Sequence, residues 1–124
     1  MSQSYPLVND SLTTTNQYAI IPLDTKCAVH NASIQITPTN TSGSLSYKIE
    51  RTVYPVQKCV YPTFNTSESV LNSQASWDLW VGPTGGNASV LYNNTVAAKG
   101  IKITLLAAGA GDSLKFAFIQ QGVL

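Results

Sequence analysis

Charge is what this 124-residue chain has least of. Asp, Glu, Lys and Arg make up 10% of it, against roughly 25% in an ordinary soluble domain. The net charge of +1 excludes the strongly basic footprint of a nucleic-acid binder and long-range steering toward a charged partner. Histidine is nearly absent. His30 is the single one, and a triad or metal site needs imidazole among fixed partners. Lying between Val29 and Asn31, it reads as a solvated or hydrogen-bonded residue at a strand entrance. Cys27 and Cys59 permit one bridge, which nothing in their spacing demands. Each adjoins apolar residues, so they read as buried thiols.

Long apolar runs are missing too. None approaches the roughly 18 residues a membrane helix needs. The opening Met1-Ser2-Gln3-Ser4-Tyr5-Pro6 lacks the basic start and apolar centre of a secretory signal, so synthesis in a cytoplasm is expected. Asn-x-Ser/Thr triplets begin at Asn9, Asn31, Asn40, Asn65, Asn87 and Asn93; without a secretory route they read as a by-product of composition. No segment pairs a helix cap with apolar residues at helical spacing.

Catalytic sets are equally scarce. The carboxylates Asp10, Asp24, Glu50, Glu68, Asp78 and Asp112 form no paired motif of the glycosidase kind. Gly82-Pro83-Thr84-Gly85-Gly86 lacks the lysine of a phosphate-binding loop and reads as a turn. No zinc-ligand cluster or calcium loop occurs. A non-enzyme without cofactor or metal is the expectation.

What the chain does have is alternation. Leu45, Tyr47, Ile49 and Val53 fall on one face, Ser46, Lys48, Glu50 and Thr52 on the other, with Arg51 interrupting the apolar side. That is the period of a half-buried strand. Ile34 and Ile36 alternate likewise, and Pro38 to Gly43 has turn chemistry, so 32–53 reads as an antiparallel hairpin. Ile101, Ile103 and Leu105, then a Gly-rich turn, then Leu114, Phe116 and Phe118 predict a second hairpin. It would set Lys102 and Lys115 side by side, although scattered solvated lysines fit as well. Gly100, Gly109 and Gly111 count against a helix there, at about 1 kcal/mol each relative to Ala. Shorter strands are predicted over 17–23, 56–61, 76–81 and 89–92, with Pro22 marking an edge.

Seven to eight short strands in one domain, 1–124, predict an all-β fold: an antiparallel β-sandwich or jelly roll. Ile20, Ile34, Ile36, Leu45, Tyr47, Ile49, Val53, Leu79, Ile101, Ile103, Leu105, Leu114, Phe116 and Phe118 should form its core. Trp77 and Trp80, three apart on a strand, face opposite ways. If Trp77 joins Leu79 and Val81 inside, Trp80 and Asp78 point outward. Trp80 is then an interface anchor or a sugar platform together with Asp78, Tyr92 and Tyr61, or else it lies under the 82–88 loop.

Ala32-Ser33-Ile34-Gln35-Ile36-Thr37 with Gly43-Ser44-Leu45-Ser46-Tyr47-Lys48-Ile49 resembles the first hairpin of small β-sandwich virion proteins of bacteriophages. Ile101 to Phe118 resembles their last hairpin, and Phe118-Ile119-Gln120-Gln121-Gly122-Val123-Leu124 the end of single-jelly-roll penton proteins of tailless phages. The resemblance implies a capsid, vertex or decoration subunit. It would be made in the host cytoplasm and housed in the virion, with further copies or other capsid proteins as partners and no membrane association. The chain also resembles, in length and in its central strand pair, the coat proteins of small RNA phages, which form dimer-based shells. That likeness would put Ser33, Gln35, Lys48 and Glu50 on one RNA-facing surface. Nucleic acid is otherwise not indicated by the charge. A carbohydrate-binding sandwich is the remaining expectation.

Overall fold

The computed structural model describes residues 2–4, 8–23, 31–61 and 69–123. Within them lie ten strands: β1 (Ser2–Ser4), β2 (Val8–Leu12), β3 (Tyr18–Pro22), β4 (Asn31–Thr39), β5 (Ser46–Thr52), β6 (Cys59–Tyr61), β7 (Asp78–Gly85), β8 (Val90–Asn94), β9 (Gly100–Ala107) and β10 (Ser113–Val123). A single helical turn, α1 (Val70–Ser73), precedes β7. Its first turn is capped by the Ser69 hydroxyl, which accepts from the Asn72 amide at 3.1 Å. His30, Cys27, Asp24 and Glu68 lie outside the described residues, so the question of a Cys27–Cys59 bridge does too. Cys59 itself is buried.

The strands form two antiparallel sheets. In sheet I the order is β1-β10-β4-β8, with β2 also paired to β10. β1 meets β10 at 121–123 and β2 meets it at 114–118, so the two lie end to end along one edge. Sheet II has the order β6-β3-β9-β5-β7. Without the short β1 and β6, the eight remaining strands counted along the chain run 1-8-3-6 in one sheet and 2-7-4-5 in the other. This interleaving of two Greek keys is the jelly roll.

It also corrects both predicted hairpins. β4 pairs with β10 and β8, never with β5. β9 pairs with β3 and β5, never with β10. Alternation reports that one face of a strand is buried, but not whether its sequence neighbour lies beside it or across the core from it. Here the neighbour lies across. Among the eight sandwich strands only β5 and β7, consecutive apart from β6 and α1, share a sheet as neighbours. As a consequence Lys102 and Lys115 stand on opposite sheets.

The inward faces meet in one core. Sheet I contributes Leu12, Ile34, Ile36, Leu114, Phe116 and Phe118, and sheet II Ala19, Ile21, Tyr47, Ile49, Ile101, Ile103 and Leu105. Two predicted core residues stay outside: Val53 is 67% exposed and Leu79 53% exposed. β5 stops at Thr52, whose hydroxyl accepts from the Tyr54 amide at 3.0 Å and turns the chain before Val53 can point inward. Leu79 is displaced by irregularities in the β5–β7 ladder. The register slips between Tyr47 and Ile49 and again between Ile49 and Glu50, and each extra residue reverses the facing of the residues beyond it. Ile20, on the face opposite Ala19 and Ile21, is buried as well, beside its ladder partner Cys59. Asn72 of α1 donates to Cys59 Sγ at 3.5 Å, so the β5–β7 connection lies over this part of the outer surface. Pro22 ends β3 beyond the reach of β6, which pairs only with Tyr18 to Ile20.

At one end of the sandwich the arches β4–β5 and β9–β10 are joined by a buried carboxylate. Asp112 accepts from the Thr41 amide (2.8 Å), the Thr41 hydroxyl (3.1 Å) and the Ser42 amide (3.0 Å) through Oδ1. Through Oδ2 it accepts from the Ser42 hydroxyl and from the Gly109 amide (2.8 Å). The approach is close: a Cβ on Gly109 would lie 2.6 Å from Ser42 Cβ, and Gly111 turns the chain with φ of +80°. Asn40 ties in the β7–β8 arch, its amide donating to Asn87 Oδ1 at 2.7 Å. The Ser42 hydroxyl, then the Gly109 and Ser42 amides, hold the Asp112 carboxyl well below the usual carboxylate range.

Two outcomes are expected from this packing. Ile103→Ala should destabilise by about 2–5 kcal/mol and Leu79→Ala by no more than about 0.5 kcal/mol, as read by urea unfolding. A lowered folded-state pKa means that the contribution of Asp112 is complete above its unfolded value of about 3.9 and fades as pH falls below it. Asp112→Asn should therefore melt lower than the parent at neutral pH, with the difference narrowing below about pH 4 in thermal melts followed by circular dichroism.

Candidate functional site

The opposite end of the sandwich carries the candidate site. β5 ends there, β7 begins, and the β8–β9 connection closes over them. Between these elements lies a cavity of about 380 Å³, within the range of small-ligand sites, lined among others by Arg51, Tyr54, Asp78 and Val96. Arg51 follows Tyr47 and Ile49 on the inward side of β5. At the mouth of the core it turns a charge toward the interior, where its Nη1 donates to Asn94 Oδ1 at 2.8 Å and the guanidinium lies 5.2 Å from the centre of the Trp80 ring. This is the residue that interrupts the apolar face in sequence. Its surroundings are an amide and an aromatic face rather than a carboxylate.

Asn94 organises the wall. It is 1% exposed, accepts from Arg51, and donates to the Val96 carbonyl at 2.9 Å, which fixes the β8–β9 connection. The Lys99 amide donates to the Thr52 carbonyl at 2.7 Å and anchors the far side of that connection. With both amide functions used, Asn94 carries no desolvation penalty that would destabilise its buried position. Nothing in the sequence distinguishes it from the other asparagines; only the interruption of the β5 pattern at Arg51 pointed to this end.

The predicted platform residues are partly brought together. Trp80 and Tyr92 meet edge to face at 6.1 Å, and both are half-buried against the core. Trp80 therefore points inward and is not an outward-facing platform. The same ladder irregularity that expels Leu79 turns Trp80 in. Asp78 is exposed and lies opposite Arg51 in the ladder, on the cavity wall. Tyr92 also reaches across the sandwich, its hydroxyl 2.9 Å from that of Tyr47. Burial, then this bond, pushes the Tyr47 phenol above its ordinary pKa. Trp77, assigned inward from sequence, lies instead on the outer side of sheet II. There Lys102 Nζ sits 4.3 Å from the centre of the Tyr18 ring and 5.5 Å from that of Trp77, and Tyr18 stacks on Tyr61 at 5.3 Å.

The residues assigned to one RNA-facing surface do not share one. Ser33 and Gln35 lie on the outer face of sheet I, Lys48 and Glu50 on the outer face of sheet II, because β4 and β5 belong to different sheets. Lys48 is paired with Glu50 at 3.3 Å. On sheet I the outer polar groups bond to one another: the Ser33 hydroxyl donates to Asn93 Oδ1 (2.7 Å), and Gln35 Nε2 donates to the Ser89 hydroxyl (3.1 Å). Leu91, Ala117 and Ile119 fill the rows between them, and Lys115 is the one charged residue of that face among the described residues.

No cluster of three or more His, Cys, Asp or Glu side chains able to hold a metal ion occurs among the described residues. No helix among them is long and apolar enough to cross a membrane. Comparison with protein-family models, with curated proteins and with solved structures finds no match for this chain.

Tyr92→Phe is expected to cost about 1 kcal/mol by leaving the buried Tyr47 hydroxyl unpaired. Adding Tyr47→Phe should restore most of the loss. Chemical denaturation of the two single variants and the double variant reads the coupling directly.

Proposed function

We propose that this chain is a non-enzymatic structural subunit of a bacteriophage virion, of capsid, vertex or decoration type, which associates with further copies through the outer face of sheet I. The jelly roll supports the reading, since viral capsid domains commonly use that architecture, but a fold alone assigns no function. The observation that carries the reading is the outer face itself. Removing an ion from water costs several kcal/mol, and this face presents a single one, Lys115, among the described residues. Its Ser33 hydroxyl bonds to Asn93 and its Gln35 amide to Ser89, which takes up part of the hydrogen-bonding capacity of the face. Exposed Leu91 and Ile119 supply apolar area. A sheet face with one charge, some of whose polar groups pair with each other, suits repeated symmetric contacts, each modest and summed over a shell.

A second reading, a carbohydrate-binding sandwich, is favoured by one arrangement: the Tyr18–Tyr61 stack with Trp77 and Lys102 on sheet II. Aromatic faces of this kind hold sugar rings.

Sedimentation velocity across a wide concentration range, with electron microscopy of the concentrated sample, separates the two. The virion reading expects oligomers or closed particles, and their loss in Gln35→Glu, which adds a charge at an exposed position and should shift stability by less than about 0.5 kcal/mol. A protein that stays monomeric throughout, and binds an immobilised glycan through Tyr61, would overturn it.

A further inference from the structure

The Arg51 end of the sandwich holds a charged pair that has not closed on itself. Arg51 and Asp78 face each other across the β5–β7 ladder, yet among the described residues the ion pair within 4.0 Å is Lys48–Glu50, not this one. A guanidinium has five N–H donors in a rigid fork. Asn94 takes a bond from Nη1, and the Trp80 ring lies against the guanidinium. The remaining donors are left to the cavity that Arg51 lines. These two contacts also fix the fork in position, so a ligand would not have to immobilise it.

The opposite wall is an acceptor, the Asp78 carboxylate. Val53, Val96, Ala97 and Ala98 give the lining small apolar surface, and Tyr54 and Ser76 line it as well. A cation and an anion on adjacent strands make a site of no net charge. Such a site disfavours a dianionic phosphate, whose second charge would face Asp78. It complements a monoanion whose neighbouring atom carries a donor: the carboxylate takes the Arg51 fork in the two-bond geometry that guanidinium favours, and the donor turns to Asp78. A short apolar side chain would lie on the valine and alanine floor.

We propose that this cavity binds an α-amino or α-hydroxy carboxylate with a small apolar side chain, with Arg51 holding the carboxylate and Asp78 the adjacent donor. The proposal stands apart from the assembly reading, since the cavity lies at the end of the sandwich and the neutral face lies on its side.

The test is a titration of isotopically labelled protein followed by NMR at the Trp80 indole and the Ala97 and Ala98 amides. Four probes are used: leucine, 2-hydroxyisocaproate, isocaproate, which lacks the donor, and leucinamide, which lacks the carboxylate. Saturable shifts are expected with leucine and the hydroxy acid, weaker ones with isocaproate, and none with leucinamide. Arg51→Gln should weaken leucine and 2-hydroxyisocaproate about tenfold or more, the equivalent of about 1.4 kcal/mol. Should that variant fold poorly, Asp78→Asn at an exposed position should lower leucine affinity while leaving isocaproate unchanged. If leucine binds and 2-hydroxyisocaproate does not, the ammonium is the required donor and the amino-acid half of the class stands. Absence of saturable shifts with every acid, or equal binding by leucinamide and leucine, would overturn the proposal.

Discussion

One buried carboxylate carries the tightest constraint in this molecule. In a jelly roll nearly every strand is followed by one in the other sheet, so the chain must arch over the ends of the core again and again. Each arch exposes backbone donors at the point where it leaves a sheet, and those donors need partners. Asp112 supplies them for two arches together, accepting from backbone and hydroxyl groups of Thr41, Ser42 and Gly109. The β4–β5 and β9–β10 corners are thereby fixed against each other, and with them the facing of Ile34 and Ile36 on one sheet toward Tyr47, Ile49 and Ile103 on the other. Asn40 and Asn87 extend the same lock to another arch at that end, β7–β8.

The two ends of the sandwich differ in kind. The Asp112 end is closed by bonds between arches. At the Arg51 end, Asn94 and Trp80 hold the guanidinium but leave a cavity between the arches. A charge placed on the inward face of a strand is destabilising unless something meets it, and the amide and the indole do so without neutralising it. The described residues thus place a satisfied anion at one end of the core and, at the other, a cation with donors to spare beside a cavity. The side faces divide similarly: among the described residues the outer face of sheet I carries one charge, Lys115, whereas on sheet II Lys48 pairs with Glu50 and Lys102 lies against aromatic rings.

Alternation made the strands and most of the core legible, because period-2 burial is a local property of each strand. Ile34, Ile49, Ile103 and Phe116 are buried as their spacing implies. Pairing was not legible in the same way. A Gly-rich turn between two alternating segments is compatible with a hairpin and with an arch, and the difference rests on long-range contacts such as the one between Ser42 and Asp112. β1 and β2 were missed because their short polar segments carry little alternation; their place comes from lying along β10. The reversal of Trp77, Leu79 and Trp80 has one cause, the ladder slips between β5 and β7, which no residue type in that stretch announces. For the site, Arg51 could be noticed as an interruption. Asn94, which makes that interruption tolerable, could not.

The topology is the claim on which the charge-poor face, the Arg51 cavity and the locked corner all rest, and cross-strand NOEs between backbone protons test it most directly. The account expects them between Gln35 and Ala117, partners in the β4–β10 ladder, and between Ile49 and Ile103, partners in the β5–β9 ladder. A ladder of such NOEs between the 32–37 and 45–50 segments would mean that the two pair as a hairpin, and would contradict it.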